Sequence, residues 1–200
     1  MNKIITISRQ HGSGGREIGS LLAKKLGIPY YDNELIKIAA RESGFDEKHF
    51  RDFDKSATNS FLYSLVRGMQ YNTQHGSSLQ SFDDSIYLAQ ASAIKKIAEE
   101  GPCVIIGRCA DHVLASYPNL VKVFIYAPSD FRIKRVMEHE GLDKKKAEDS
   151  IKKTDKRRQN YYFHHTDVKW GDLQSYNLCI DSSMCGMETA ADLIYQYIKK

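Results

Sequence analysis

Lys3-Ile-Ile-Thr-Ile-Ser8, then Arg9-Gln-His-Gly-Ser-Gly-Gly15, then Arg16-Glu-Ile-Gly-Ser-Leu-Leu-Ala-Lys-Lys-Leu26, is the stretch from which the rest of the chain is read. The first segment is apolar and β-branched with no charge after Lys3, the pattern of a strand covered on both faces. Gly12, Gly14 and Gly15 follow. Lacking a Cβ, they let the backbone turn sharply and direct several N–H groups at one point. Ile18, Leu21, Leu22 and Leu26 then recur at helical spacing. A helix that opens directly after such a loop presents unpaired N–H groups and the positive end of its dipole. Phosphate binding is therefore expected at Gly12, Ser13, Gly14, Gly15, Arg16 and Glu17.

The strand–loop–helix context is that of a P-loop, yet the pattern G-x-x-x-x-G-K-[ST] is not met. With Gly14 as its second glycine, the first glycine falls on Arg9, the lysine on Gly15 and the hydroxyl residue on Arg16. Arg16 is the expected replacement cation, although a planar guanidinium fork differs from a point-charge ammonium. The dinucleotide fingerprint G-x-G-x-x-G also fails, because its sixth position is Glu17. Asp32, twenty residues after Gly12, is at the ribose-carboxylate distance of that fingerprint but lacks the loop that would go with it.

Two hundred residues with 42% hydrophobic and 27% charged content suit one globular domain. No apolar run reaches the length of a membrane span, and the N-terminus does not read as a signal peptide, so a cytoplasmic protein with no membrane contact is expected. The formal charge of +4 suits small anionic ligands, and no nucleic-acid partner is expected. The four cysteines contain no C-x-x-C, so neither a zinc site nor any other dedicated metal site is expected.

Gly27-Ile-Pro-Tyr-Tyr-Asp32 reads as a helix stop and a short second strand, followed by a helix from Asn33 to Ser43. Residues 45–82 read as an insert, a candidate substrate-side flap. Asp83 to Glu100 is a helix, Cys103 to Ile106 a buried strand ending in Gly107-Arg108, and Asp111 to Ala115 a short helix. A strand from Leu120 to Tyr126 precedes two basic helices, one capped at Ser129-Asp130 and one from Asp143; 129–165 is the candidate lid. A strand over Tyr176 to Asp181 and a helix over Met187 to Ile198 close the chain. About five strands alternating with helices force a mostly parallel sheet covered on both faces, with Asp32 and Arg108 at its ligand edge. Asp155 and Arg158, one helical turn apart, can act on one ligand or pair with each other.

The combination Ser8-Arg-Gln-His-Gly-Ser-Gly-Gly-Arg-Glu17, Tyr31-Asp32, Ile105-Ile-Gly-Arg108, Phe131-Arg-Ile-Lys-Arg135, Asp155-Lys-Arg-Arg158 and Lys169-Trp-Gly171 resembles the cytidylate kinase-like family, a branch of the P-loop nucleoside monophosphate kinases. The resemblance spans nearly the whole chain. It implies a three-layer α/β P-loop nucleotide kinase fold with a helical lid, and ATP with Mg²⁺ as cofactors. It further implies an acceptor site at Asp32, Arg108, Asp155 and Arg158, and lid arginines at Arg132 and Arg135, with Arg157 expected to move in with them. The P-loop lysine and its hydroxyl neighbour are absent, and Ile106 stands where the kinases carry an acidic residue. Two functional classes follow: phosphoryl transfer from ATP to a nucleoside monophosphate such as CMP or a similar small acceptor, or nucleotide binding without turnover.

Overall fold

A computed structural model describes residues 2–32 and 82–199. The helix expected over 33–43 lies outside them, as does the insert over 45–82 apart from its last residue. The strands are β1 (Ile4–Arg9), β2 (Tyr30–Tyr31), β3 (Cys103–Ile106), β4 (Leu120–Tyr126) and β5 (Leu178–Asp181). They form one five-stranded sheet in the order β2-β3-β1-β4-β5, and every pairing is parallel. The helices are α1 (Gly15–Leu26), α2 (Phe82–Glu100), α3 (Ala110–Val113), α4 (Ser129–Glu140), α5 (Lys144–Thr166) and α6 (Ser182–Lys199).

β1 is central because its residues are apolar on both faces. Ile5 and Ile7 pack into a cluster with Ile18 and Leu22 of α1, Val123 and Ile125 of β4, and Ala190 and Ile194 of α6. On the opposite face Ile4 joins Ile105, Ile94 and Ile97 of α2, and Leu114 beyond α3. Burying each of these side chains contributes roughly 1.5–3 kcal/mol. Chain order reverses across β1, whose neighbours in space are β3 and β4. Ligand-binding crevices open at the carboxyl ends of strands flanking such a reversal, and the glycine loop leaves β1 there.

The last strand begins two residues later than its sequence pattern, since Tyr176 is buried in an aromatic cluster with Phe124, Tyr162 and Trp170. α6 extends the expected helix to Ser182 and breaks its helical geometry at Gly186. Tyr126 is followed by Ala127-Pro128, which directs the chain into α4, and Gly141 ends α4 in the left-handed conformation before Asp143 caps α5 through Lys146 N–H.

Candidate functional site

The loop from Gln10 to Gly14 is anchored from three sides before any ligand is considered. Ser13, fully buried, turns its hydroxyl inward to donate to Gln10 O at 2.8 Å and Ile125 O at 3.2 Å. Ser182 at the start of α6 donates to Ser13 O at 2.7 Å. The Gln10 side chain accepts from Ala127 N–H. Gly14 has φ 79°, a conformation that disfavours other residues, and a Cβ there would require the Met187 side chain to shift. α1 begins at Gly15 with no side-chain cap, which leaves its first-turn N–H groups for an anion.

α5 closes the third side. The Asp155 carboxylate accepts from His11 N–H at 2.8 Å through Oδ1 and from Arg132 Nη1 at 2.7 Å through Oδ2. Arg132 also donates to Ala127 O and His11 O, at 3.0 and 3.2 Å. Arg158 Nη1 donates to Arg9 O at 2.8 Å and lies 3.7 Å from Asp155. The His11 ring sits against Glu140 at 3.1 Å; burial and the nearby Arg158 charge lower its pKa, against the pull of Glu140.

A second group gathers at the ends of β1, β2 and β3. Arg16 Nε lies 2.7 Å from Asp32, and Arg9 Nη2 lies 3.9 Å from the other oxygen of the same carboxylate. Arg158, Arg16 and Arg108 all act electrostatically on Arg9, whose pKa burial and these like charges lower. Gly107 and Arg108 both have positive φ, which bends the chain sharply off β3 and sets Arg108 at this edge, on the same side of the sheet as Gly14.

The expected site residues therefore divide. Asp32, Arg108, Arg158 and Arg16 converge with the glycine loop, and Asp155 joins them through the loop backbone. Arg16 engages Asp32 through its Nε. Arg135 pairs with Glu17 at 2.8 Å, so two expected phosphate ligands hold each other. Arg157 lies about 200° around α5 from Asp155, and among the described residues it makes no hydrogen bond or ion pair. Arg9 was passed over in the sequence, where it reads only as a failed first glycine; the run of an arginine followed within six residues by the glycine that replaces the lysine was the available signal.

Several oxygens that would serve Mg²⁺ are already committed. Ser13 Oγ donates inward, and the Asp32 and Glu17 carboxylates face arginines. The loop and the α1 N-terminus suit an anion, whereas the chain offers no dedicated Mg²⁺ ligand here among the described residues.

Solved structures that resemble this fold include an uncharacterized protein from Eubacterium ventriosum, 32% identical with TM-score 0.74, covering 100% of this chain and 99% of that one. A shikimate kinase from Bacteroides thetaiotaomicron shares the fold at TM-score 0.58 with 11% identity, covering 100% of each chain. Among curated proteins, a cytidylate kinase of Methanopyrus kandleri is 27% identical over 90% of this chain and 84% of its own length. A cytidylate kinase of Methanocella arvoryzae is 26% identical over 98% of this chain and 96% of its own. The Cytidylate kinase-like family profile matches residues 4–184. With that match running from the first residue of β1 into α6, the chain belongs to the cytidylate kinase-like family.

Proposed function

We propose that this protein is a kinase that transfers the γ-phosphoryl group of ATP to a nucleoside monophosphate, CMP-like, or to a similar small acceptor. The observation that carries this reading is the meeting of an uncapped helix N-terminus behind a glycine loop with the Arg16, Arg108, Arg158 and Asp32 group at one sheet edge. One side suits a polyphosphate; the other suits an anionic acceptor with a hydroxyl or amino group for Asp32 to bind. Membership of a family whose curated relatives include cytidylate kinases supports the same reading.

The reaction asks little covalent chemistry of the protein. An acceptor oxygen forms a bond to the γ-phosphorus while the bond from that phosphorus to the β,γ-bridging oxygen breaks, and ADP leaves with the electron pair. Loop N–H groups hold the donor phosphates, Arg108 and Arg158 hold the acceptor, and Arg16 with the α4–α5 arginines Arg132, Arg135 and Arg157 offsets charge as it shifts to the leaving oxygen. Bound to the triphosphate, Mg²⁺ would supply charge neutralisation, with no dedicated ligand from the described residues. A cytoplasmic site of action fits nucleotide substrates and four unpaired thiols; no helix among the described residues is long and apolar enough to cross a membrane.

The second reading, a nucleotide-binding or regulatory protein without turnover, is favoured by one observation: glycine stands at the lysine position while Arg132 is held by Asp155, His11 O and Ala127 O. Coupled ADP release with CMP and other monophosphates, alongside thermal shift with ATP, separates the two. ADP release that depends on a monophosphate is the expected result. A thermal response to ATP with no ADP release for any acceptor would replace the kinase reading with the second one.

A further inference from the structure

Two departures from the P-loop pattern occur together in this chain, arginine in place of the first glycine and glycine in place of the lysine. In the fold they are in contact. A Cβ on Gly15 would lie 2.5 Å from Arg9 Cβ and 2.9 Å from its Cγ, closer than real side chains approach. The stem of Arg9 thus fills the space in which a side chain at position 15 would begin. The far end of Arg9 has its own vacated space, because a Cβ on Gly107 would overlap Arg9 Nη1. Two glycines from different elements make a channel for this one side chain, from the end of β1 under the loop to the edge shared by β2 and β3.

The guanidinium that emerges there is poorly compensated. Its Nε is buried and, among the described residues, makes no hydrogen bond, and the carboxylate it faces, Asp32, is 3.9 Å away and already engaged by Arg16. Arg158, Arg16 and Arg108 are its like-charged neighbours. Burying a guanidinium with an unpaired N–H among other cations costs several kcal/mol unless an anion joins it.

Resting on the kinase reading above, we propose that Arg9 is the phosphate-binding cation of this loop, taking over from below the task of the lysine that Gly15 replaces, and that the group it binds is the phosphate lying between the loop and the Asp32–Arg108–Arg158 edge. The Gly-to-Arg and Lys-to-Gly exchanges are then one coupled change. Arg9 cannot be introduced while a side chain stands at 15, and a side chain cannot be restored at 15 while Arg9 is present.

The experiment is a cycle of Arg9→Gly, Gly15→Lys and the double variant Arg9→Gly/Gly15→Lys, with Arg9→Lys as a variant that keeps charge and much of the packing. Each is checked for native circular dichroism and titrated with inorganic phosphate, tripolyphosphate and ATP·Mg²⁺, by thermal shift and calorimetry. Arg9→Gly is expected to lose roughly ten- to a hundredfold in affinity for tripolyphosphate and ATP, the scale of one charge-assisted contact. Gly15→Lys should be impaired, Arg9→Lys should keep part of the binding, and the double variant should bind more tightly than either cycle single variant. Wild-type affinity in Arg9→Gly would overturn the inference, as would a double variant no better than Arg9→Gly. If Arg9→Gly fails to fold, the Arg9→Lys and Gly15→Lys arms decide by the same criterion. Arg9-dependent binding of tripolyphosphate in a protein that releases no ADP would remove the kinase reading and keep this one. Wild type unresponsive to all three anions would remove both.

Discussion

The arginines around the glycine loop fall into two sets with opposite surroundings. Arg132, on the α4 side, has a carboxylate and two backbone carbonyls within hydrogen-bond distance, and Arg135 has Glu17. Arg9 and Arg16, on the β3 side, share Asp32, and Arg16, Arg108 and Arg158 act on Arg9 as like charges. A guanidinium saturated by its own chain works first as a clamp; guanidiniums that repel one another work as a socket for an anion. All were equal candidates as basic residues near a loop, and what separates them is the identity of their partners. The clamp side keeps the loop shaped in the absence of ligand, while the socket side gains most from one.

The largest effect that would break this division comes from the clamp. Asp155→Ala removes the acceptor for His11 N–H and the partner of partly buried Arg132 together. It should cost about 3 kcal/mol in urea unfolding, with Asp155→Asn losing less because one oxygen still accepts. A neutral Asp155→Ala would mean that the loop holds its shape without α5. Arg132→Ala should follow at about 2 kcal/mol, since it vacates three acceptors while Asp155 still accepts from His11 N–H and has Arg158 at 3.7 Å. Its unfolding midpoint should fall more than that of Arg16→Ala.

Arg16→Ala sharpens the socket side. Arg16 is 58% exposed and paired with Asp32, so its loss is expected to leave stability nearly unchanged. ATP or acceptor affinity, read by calorimetry, should drop about tenfold, one charge-assisted contact partly screened by solvent. An unchanged affinity for both ligands would assign Arg16 to fixing Asp32 alone.

The far end of α5 supplies a pH test of how firmly this helix is held. His165 stacks on Tyr87 with ring centroids 4.0 Å apart, and burial, aided by neighbouring His164, lowers its pKa to about 4. An unfolded histidine titrates near about 6.5. Between those values the unfolded chain binds the extra proton, so this contribution is complete above pH 6.5 and is lost as the pH falls toward 4. Allowing for the ring's partial exposure, about 1 kcal/mol is expected. Unfolding midpoints measured from pH 7 to pH 4 should fall for wild type and fall less for His165→Phe. Smallest of all, Arg135→Ala should change stability by about 0.5 kcal/mol, because Glu17, its partner, is half-exposed; a loss comparable to Arg132→Ala would place Arg135 with the clamp.

The sequence by itself determined the order of elements. The β-branched run at Ile4–Ile7, the loop glycines and the 3.6-residue repeat from Ile18 are local signals, set by sterics and by the need to bury one stripe or two faces. The same holds for Cys103–Ile106 and Leu120–Tyr126, found where the apolar runs placed them. The family resemblance carried Asp32, Arg108, Asp155 and Arg158 to one edge. Tertiary structure alone decided the partners. Asp155 and His11 are 144 positions apart, and their hydrogen bond follows from how α5 packs on the loop, which no local period encodes. Arg9 looked like a defect in a motif because its meaning depends on Gly15 and on Gly107, which is distant in the chain and joins it only through the parallel pairing of β1 with β3. Periodicity reports which face a residue turns to the core, whereas charge pairing depends on which two elements meet there, and that is fixed only when the strand order β2-β3-β1-β4-β5 forms.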